Sequence, residues 1–463
     1  MDTKDPSVLL KEAVEKSKNH VDACITEDIG VICFNKKHKR TKVLPFRNLY
    51  KNNNHFWLQN EVWEFFIVQD DVAKIEERVV QMDHHWTPLT RETVPEPTEN
   101  AVAPNNGWGD GYLTFAKLSE IQRLQRVMDC RKRLEALVVQ KPLKDDVATT
   151  VLVETTEETI LHNYASLISA MNLAEADAKL KTQNIVESTH DIVMASSQLI
   201  SENILDDELM NTLVSKSNGT IIEHMTRVYL KGLAFLSYYN NMVSGSSFIK
   251  KLRIVFGSKY HSFYRFLLPH IDLEAITLER VFLGGMRAIP EDIFFDWATG
   301  FLLHDIGKAS TVEYHESEGV YNRDVVIEHV KVGYNAIMNK TNYPRDAGLI
   351  AGYHHEYYGD PSGYGFFRLG LEQYKKTHPL TRQDYCIAYE AKHILNYQTL
   401  AFFPAKLLEI VDIFDSLTDP NRKYRKPLAT EEALELMEKE FINRSRKIDP
   451  ILFDLFIRYI SEI

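Results

Sequence analysis

Phe301-Leu-Leu-His-Asp-Ile-Gly-Lys308 places a His-Asp pair, then Gly and Lys, at the end of an apolar run. Before and within it, Phe294, Phe295, Trp297, Ala298, Phe301 and Leu302 recur at helical spacing, so the pattern predicts an apolar helix with His304 and Asp305 near its end. Core packing on such a helix holds the backbone rigidly, which makes a good mount for a metal. An imidazole offers one nitrogen ligand, whereas a carboxylate has two oxygens and can serve one ion or bridge two. Gly307 permits a close approach to the chain, and Lys308 adds a positive point charge beside the pair. Alone, a His-Asp pair is equally compatible with an ordinary capped helix end. The surrounding sequence changes that balance.

At 463 residues the chain exceeds one ordinary core, and ~150 residues per domain predicts two or three domains. Hydrophobic residues make up 44% and charged residues 26%, the balance of a soluble globular protein. A formal charge of −11 argues against polymeric nucleic acid or anionic membranes as partners, so an anionic substrate must be small and held locally. Cys24, Cys33, Cys130 and Cys386 are scattered with no CxxC arrangement, which fits a reducing compartment and implies no thiolate metal site. The first eighteen residues mix acids and bases without a signal-like apolar core. No apolar run approaches the ~20 residues that span a bilayer, and a cytoplasmic location is expected.

In chain order, an amphipathic helix pattern extends to about residue 20. Strand-like pieces follow at Gly30–Phe34, Lys42–Phe46, His55–Leu58 and Val62–Val68, rich in β-branched and aromatic residues. Residues 1–86 therefore read as a small mixed α/β module, regulatory or sensory in role. His84 and His85 have no ligand partner nearby and read as surface residues. Residues 87–110, with Pro88, Pro95, Pro97, Pro104, Gly107 and Gly109, form a linker or extended arm. Helical spacing resumes over 111–215, where Leu199, Ile200, Ile204, Leu209 and Leu213 make an apolar stripe. That connector has two open uses, a signal-transmitting homodimer seam or plain core helices.

The chemistry begins at His224 in Thr220-Ile-Ile-Glu-His-Met-Thr-Arg-Val228. It continues with His329, the pair His354-His355 followed by Glu356, and Asp412 in Val411-Asp-Ile-Phe-Asp415. A lone helical histidine is usually structural; these gain weight together. The ordered set of HDIGK, a helical His, HHE with a nearby Gly363-Tyr-Gly365, and VDIFDSL followed by NRKYRK is similar to the HD-GYP family of cyclic dinucleotide phosphodiesterases. The resemblance covers about residues 216–463 and implies a mainly α protein, with an all-helical HD-type catalytic domain behind the small α/β module.

It further implies two divalent metal ions. His224, His304 and Asp412 would hold one, His329, His354 and His355 the other, and Asp305 would bridge them. Five histidines and two carboxylates suit iron or manganese better than calcium, and no thiolate draws the set toward structural zinc. Two ions ~3.5–4 Å apart can share a water, lower its pKa and aim the resulting hydroxide at a phosphodiester phosphorus. The implied reaction opens cyclic di-GMP or 3′3′-cyclic GMP-AMP to the linear dinucleotide. Asp305 and Lys308 are the expected catalytic residues, with Lys308 also neutralising phosphate oxygens. Gly363 and Tyr364 would shape the substrate pocket, while Arg422 and Arg425 match the family's phosphate-binding positions.

Four departures from the family pattern stand out. Thr220 occupies the place of a glutamate that serves a third metal in trinuclear members, which favours a binuclear site, and Glu223 points about 100° away round the helix. The GYP tripeptide reads Gly-Tyr-Gly, with one extra residue before it, and the arginine match likewise needs one insertion. A long gap between His224 and His304 holds an apparent insertion over 245–289, whose first part is basic at Lys250, Lys251, Arg253, Lys259 and Arg265. That basic stretch could line the site's mouth or be a solvated helix face. His261, His270, His315 and His393 match no ligand position. Two other functional classes stay open: a one-metal HD phosphohydrolase of nucleotides, and a non-catalytic cyclic dinucleotide sensor or scaffold.

Overall fold

The computed structural model describes strands at 7–9, 30–35, 40–45 and 63–68, and residues 118–139, 146–202, 221–309, 323–358, 363–378, 384–420 and 426–462. The chain divides into two compact units, Met1–Val102 and Ala103–Ile463. The first holds an antiparallel sheet of order β1-β4-β2-β3, made of Ser7–Leu9, Gly30–Asn35, Arg40–Pro45 and Trp63–Val68 as β1, β2, β3 and β4. Ile32 lies opposite Val43 on one side and Phe66 on the other, the β-branched and aromatic pairing that favours strands. One expectation is corrected here. Ser7–Leu9 interrupts the helix read to about residue 20, because pairing with Phe66–Val68 outweighs a short helical pattern. The strand read at 55–58, the His84-His85 pair and the linker over 87–110 lie outside the described residues.

The second unit is mainly helical. Its helices are α1 (Glu120–Val139), α2 (Asp146–Ala170), α3 (Glu175–Glu202), α4 (Ile221–Ser244), α5 (Ser246–Lys259), α6 (His261–Leu267), α7 (Leu278–Val281) and α8 (Glu291–Leu303). After a 3₁₀ turn at Ile306–Ala309 come α9 (Arg323–Lys340), α10 (Arg345–Tyr353), α11 (Phe366–Thr377), α12 (Ala391–Leu395), α13 (Phe403–Thr418), α14 (Thr430–Leu436) and α15 (Pro450–Glu462). The expectation of an all-helical half is corrected by a parallel pair, β5 (Asp384–Ala388) and β6 (Thr399–Phe402). Their short apolar cores, Ile387-Ala388 and Ala401-Phe402, are buried, and a bridge from Phe282 to Ile387 extends the pairing. No helix among the described residues is long and apolar enough to cross a membrane.

Helix α8 forms the centre, packing on α10, α4 and α3, while α13 packs on α4. Fully buried Trp297 donates its indole N–H to Asp346 at 2.8 Å, which ties α8 to the start of α10. The 111–215 connector is not a separate layer among the described residues. Helices α2 and α3 pack on α4, α8 and α9, and Leu199 and Ile200 are core residues. A buried polar seam fixes that contact: the Tyr343 hydroxyl donates to Asn163 Oδ1 at 2.5 Å and lies 2.9 Å from the Thr189 hydroxyl. A seam of this kind specifies one docking geometry, since any slip leaves polar groups unpaired in the core.

Gly307 explains how the 3₁₀ turn sits so close to α9. A Cβ there would lie 1.9 Å from the His329 carbonyl oxygen and 2.5 Å from the Gly333 nitrogen. The close approach is thus made by the α9 backbone. Gly307→Ala must push α9 outward, with an expected loss of about 1–3 kcal/mol in urea unfolding; an unchanged midpoint would refute the contact.

Buried Asp449 accepts the Tyr264 hydroxyl at 2.7 Å and the N–H groups of Ile451 and Leu452 at 3.0 Å, starting α15. Burial pushes its carboxyl up to about 6, although these donors favour the charged form. The stability this group contributes is full below the unfolded value near 3.8 and is lost as pH rises through 6. The melting-point advantage of the native protein over Asp449→Asn should therefore shrink between pH 4 and pH 7. A constant difference would contradict that sign.

Candidate metal centre

Five elements of the second unit deliver seven side chains to one buried point. His224 comes from the first turn of α4, His304 from the C-terminal cap of α8, and Asp305 from the residue after it. His329 lies on α9, His354 and His355 follow the end of α10, and Asp412 lies on α13. The exposure of all seven is 7% or less. Their donor atoms form two groups, Asp305 with His329, His354 and His355, and Asp305 with His224 and His304. Within each group the atoms lie within 4.8 Å of one another.

Asp305 is common to both because its two oxygens face opposite ways. Oδ1 lies 3.0 Å from His329 Nε2 and 3.6 Å from His354 Nε2. Oδ2 lies 3.5 Å from His224 Nε2 and 3.6 Å from His304 Nε2. Asp412 joins both sides as well, with Oδ1 3.1 Å from His224 Nε2 and Oδ2 3.8 Å from His355 Nδ1. These distances are short, yet His224 Nε2, His304 Nε2, Asp305 Oδ1 and His355 Nδ1 make no aligned hydrogen bond although buried. Leaving such atoms unpaired costs on the order of 1–3 kcal/mol each. Imidazole nitrogens and carboxylate oxygens converging at this range are the donor set a divalent cation takes, so the residues present fit divalent metal.

The far side of each ring fixes which nitrogen faces inward. His304 Nδ1 lies 2.9 Å from the Phe301 carbonyl and His354 Nδ1 3.0 Å from the Ala351 carbonyl, so each donates Nδ1–H to its own helix end and presents an Nε2 lone pair. His224 Nδ1 lies 2.9 Å from Asp415 Oδ2, which turns its Nε2 toward Asp305 and Asp412. Asp415 is in turn clamped from α4. Arg227 Nε donates to its Oδ1 at 3.0 Å, Arg227 Nη2 to its Oδ2 at 3.0 Å, and Lys231 Nζ to its Oδ1 at 2.8 Å. Asp419 takes Arg227 Nη2 at 2.7 Å. Sequence reading missed this layer. Its signal was present, since Asp415 falls three residues after Asp412, and Arg227 and Lys231 fall three and seven after His224, all at helical spacing.

Protonation follows from burial and neighbours. Burial holds His304 down at about 3 and keeps His329 and His355 below the ordinary histidine value, so these rings stay neutral and ligand-competent. Burial acts on His224 in the same direction, but the carboxylates of Asp305, Asp412 and Asp415 override it and raise the ring to about 9. Burial would raise the acids, yet Lys308 and His304 hold Asp305 well below the usual range, and His224 does so for Asp412. Asp415 is held down by Arg227 and Lys231 against the same burial.

The remaining expected residues divide. The Lys308 ammonium pairs with Asp305 Oδ2, beside the cluster. The Tyr364 ring lies 4.4 Å from that of His355 and 6.3 Å from that of His329. Gly363 and Gly365 are close-contact positions: a Cβ on Gly365 would lie 2.3 Å from Glu356 Oε2. Glu356 holds this loop down, paired with Arg368 of α11, while Lys406 of α13 donates to the Glu356 carbonyl at 2.6 Å. Arg422, Arg425 and Thr220 lie outside the described residues, as does His315. His261 lies 2.9 Å from the Ile276 carbonyl, His270 pairs with Asp384 and His393 with Gln398, so these three have other partners.

Asp415→Asn tests the outer layer. It removes one charge opposite buried Arg227 and Lys231, so metal-free protein should lose about 3–5 kcal/mol in urea unfolding. Metal titration should show roughly 10–100-fold weaker binding of one ion and little change in the other. Equal weakening of both would deny that Asp415 acts through His224. Comparison of the chain with protein-family models, with curated proteins and with solved structures finds no match, so the reading of this site rests on its residues and their geometry.

Proposed function

We propose that the chain is a binuclear metal-dependent phosphodiesterase that opens a cyclic dinucleotide, cyclic di-GMP or 3′3′-cyclic GMP-AMP, to its linear form. The observation that carries this is the two-faced Asp305, flanked by histidines on each oxygen, in the same residue order that resembles the HD-GYP family. His224, His304 and Asp412 are assigned to one ion, His329, His354 and His355 to the other, and Asp305 to both. Iron or manganese fits a set of imidazoles and carboxylates without thiolate. Bound ions would supply Lewis-acid charge to the phosphate and an acidified water.

The chain's own residues position the substrate. Lys308 is a flexible cation next to the ligand cluster, suited to following charge that develops on phosphate oxygens. Tyr364 offers an aromatic face at the edge of the histidines for a base to stack on. Arg422 and Arg425 are the proposed partners of the second phosphate. A partner copy joined through the connector would use outward residues of that region, such as Ile121 and Leu180, which are 81% and 74% exposed.

Metal analysis and side-by-side hydrolysis of the two cyclic dinucleotides test the reading. Two ions per chain and a linear dinucleotide product are expected; one ion would favour a mononuclear nucleotide phosphohydrolase, and none a sensor. Asp305→Ala should lose turnover and metal together. Lys308→Ala should lower kcat by roughly 10²–10³ with metal retained, whereas Arg422→Ala and Arg425→Ala should chiefly raise KM. Near-normal turnover in Asp305→Ala would overturn the two-metal assignment.

A further inference from the structure

The segment over 245–289 takes no part in the chemistry proposed above, yet it builds a cavity of its own. Helix α5 lies over α15, and a space of about 400 Å³ opens between them. None of its lining residues is among the seven ligands. Its floor is core material: Leu252 and Tyr260 of the segment, and Ile451 and Leu455 of α15, are each 5% exposed or less. Ile254 also lines the cavity and is 80% exposed.

Charge at the rim is one-sided. Lys251, Lys259 and Arg458 line the cavity against a single carboxylate, Asp454. That carboxylate is already engaged, by Lys259 Nζ at 2.6 Å and by the Tyr260 hydroxyl. Among the described residues Lys251 and Arg458 belong to no ion pair, although the Arg458 guanidinium lies over the ring of Phe248, 5.9 Å from its centroid, on the same cavity wall. A local positive rim on a chain of net charge −11 sets the sign of what it attracts. The volume is within the ~300–1,000 Å³ of small-molecule sites. An apolar floor offers nothing to the polar edge of a base, so a nucleotide is a poor match, and an organic cation meets the wrong rim. A neutral alcohol would cover the floor but leave the two cations unanswered.

We infer that this cavity is a second binding site, for a small amphiphilic anion of the medium-chain carboxylate class. The apolar tail lies on Leu252, Tyr260, Ile451 and Leu455, and the carboxylate lies between Lys251 and Arg458. This site does not depend on the phosphodiesterase reading.

Calorimetric titration of the full chain with sodium decanoate, below its micellar range, is the test. Decanol, decyltrimethylammonium and hexanoate serve as comparators. One decanoate per chain is expected, bound more tightly than hexanoate and more tightly than either uncharged or cationic decyl compound. Lys251→Glu and Arg458→Glu change exposed side chains, so folding should persist by circular dichroism. Each should weaken decanoate roughly tenfold or more, and the double variant should abolish it. Absence of saturable decanoate binding, equal binding by decyltrimethylammonium, no gain from hexanoate to decanoate, or indifference to both charge reversals would each overturn the site.

Discussion

Everything in the second unit is subordinate to the carboxylate of Asp305, which must stand in a dry core between two sets of imidazoles. Burial of an anion is costly by several kcal/mol even after relaxation, and burial of the neutral rings of His304, His329 and His355 adds more. The structure tolerates this because four of the seven side chains are anchored away from the centre. His304 and His354 are tied to carbonyls of their own helix ends, His224 to Asp415, and Asp305 to Lys308.

Such anchoring dictates the packing. The ligands are spread from residue 224 to residue 412, so the chain must bring α4, α8, α9, α10 and α13 together at one level. Gly307 lets the turn after Asp305 touch the backbone of α9 at His329, and Trp297 locks α8 to α10 through Asp346. The Tyr343 seam then fixes α2 and α3 against the start of α10. Each of these is a directional contact, not general apolar burial, which is what sub-ångström placement of metal ligands requires.

Much of the site could be read from the sequence, and the reason is chemical. Histidines and aspartates are costly to bury, so an ordered series of them, each inside an apolar helical pattern, seldom arises from packing alone. The seven expected ligands converge accordingly. What the sequence concealed is of another kind. Asp415, Arg227 and Lys231 look like surface charges in a helix until tertiary packing turns that face inward, and periodicity alone does not give the sign of a face. The strand at Ser7–Leu9 is only three residues long and exists because Phe66–Val68 pairs with it, a contact across nearly sixty residues. Strands β5 and β6, five and four residues long, likewise draw their identity from each other. Gly307 was legible as a close-contact position, but its partner, the α9 backbone, was not.

The outer clamp also decides how the centre responds to charge. Asp415 receives three donors from Arg227 and Lys231 besides His224, so its negative charge is balanced without any help from the cluster. Asp305 is balanced by the Lys308 ammonium on Oδ2, whereas Asp412 is paired, among the described residues, with His224 and His355. Both carboxylates face His224, at 3.5 and 3.1 Å, and with Asp415 they raise that ring to about 9 against the effect of burial. The same position is where one metal's charge would act. A proton and a divalent ion are therefore competitors for the lone pair of His224, while the neutral rings of His304, His329 and His355, held below the ordinary range by burial, present no such competition. The two halves of the centre are chemically unequal for this reason, and the inequality originates in the three carboxylates packed around a single ring.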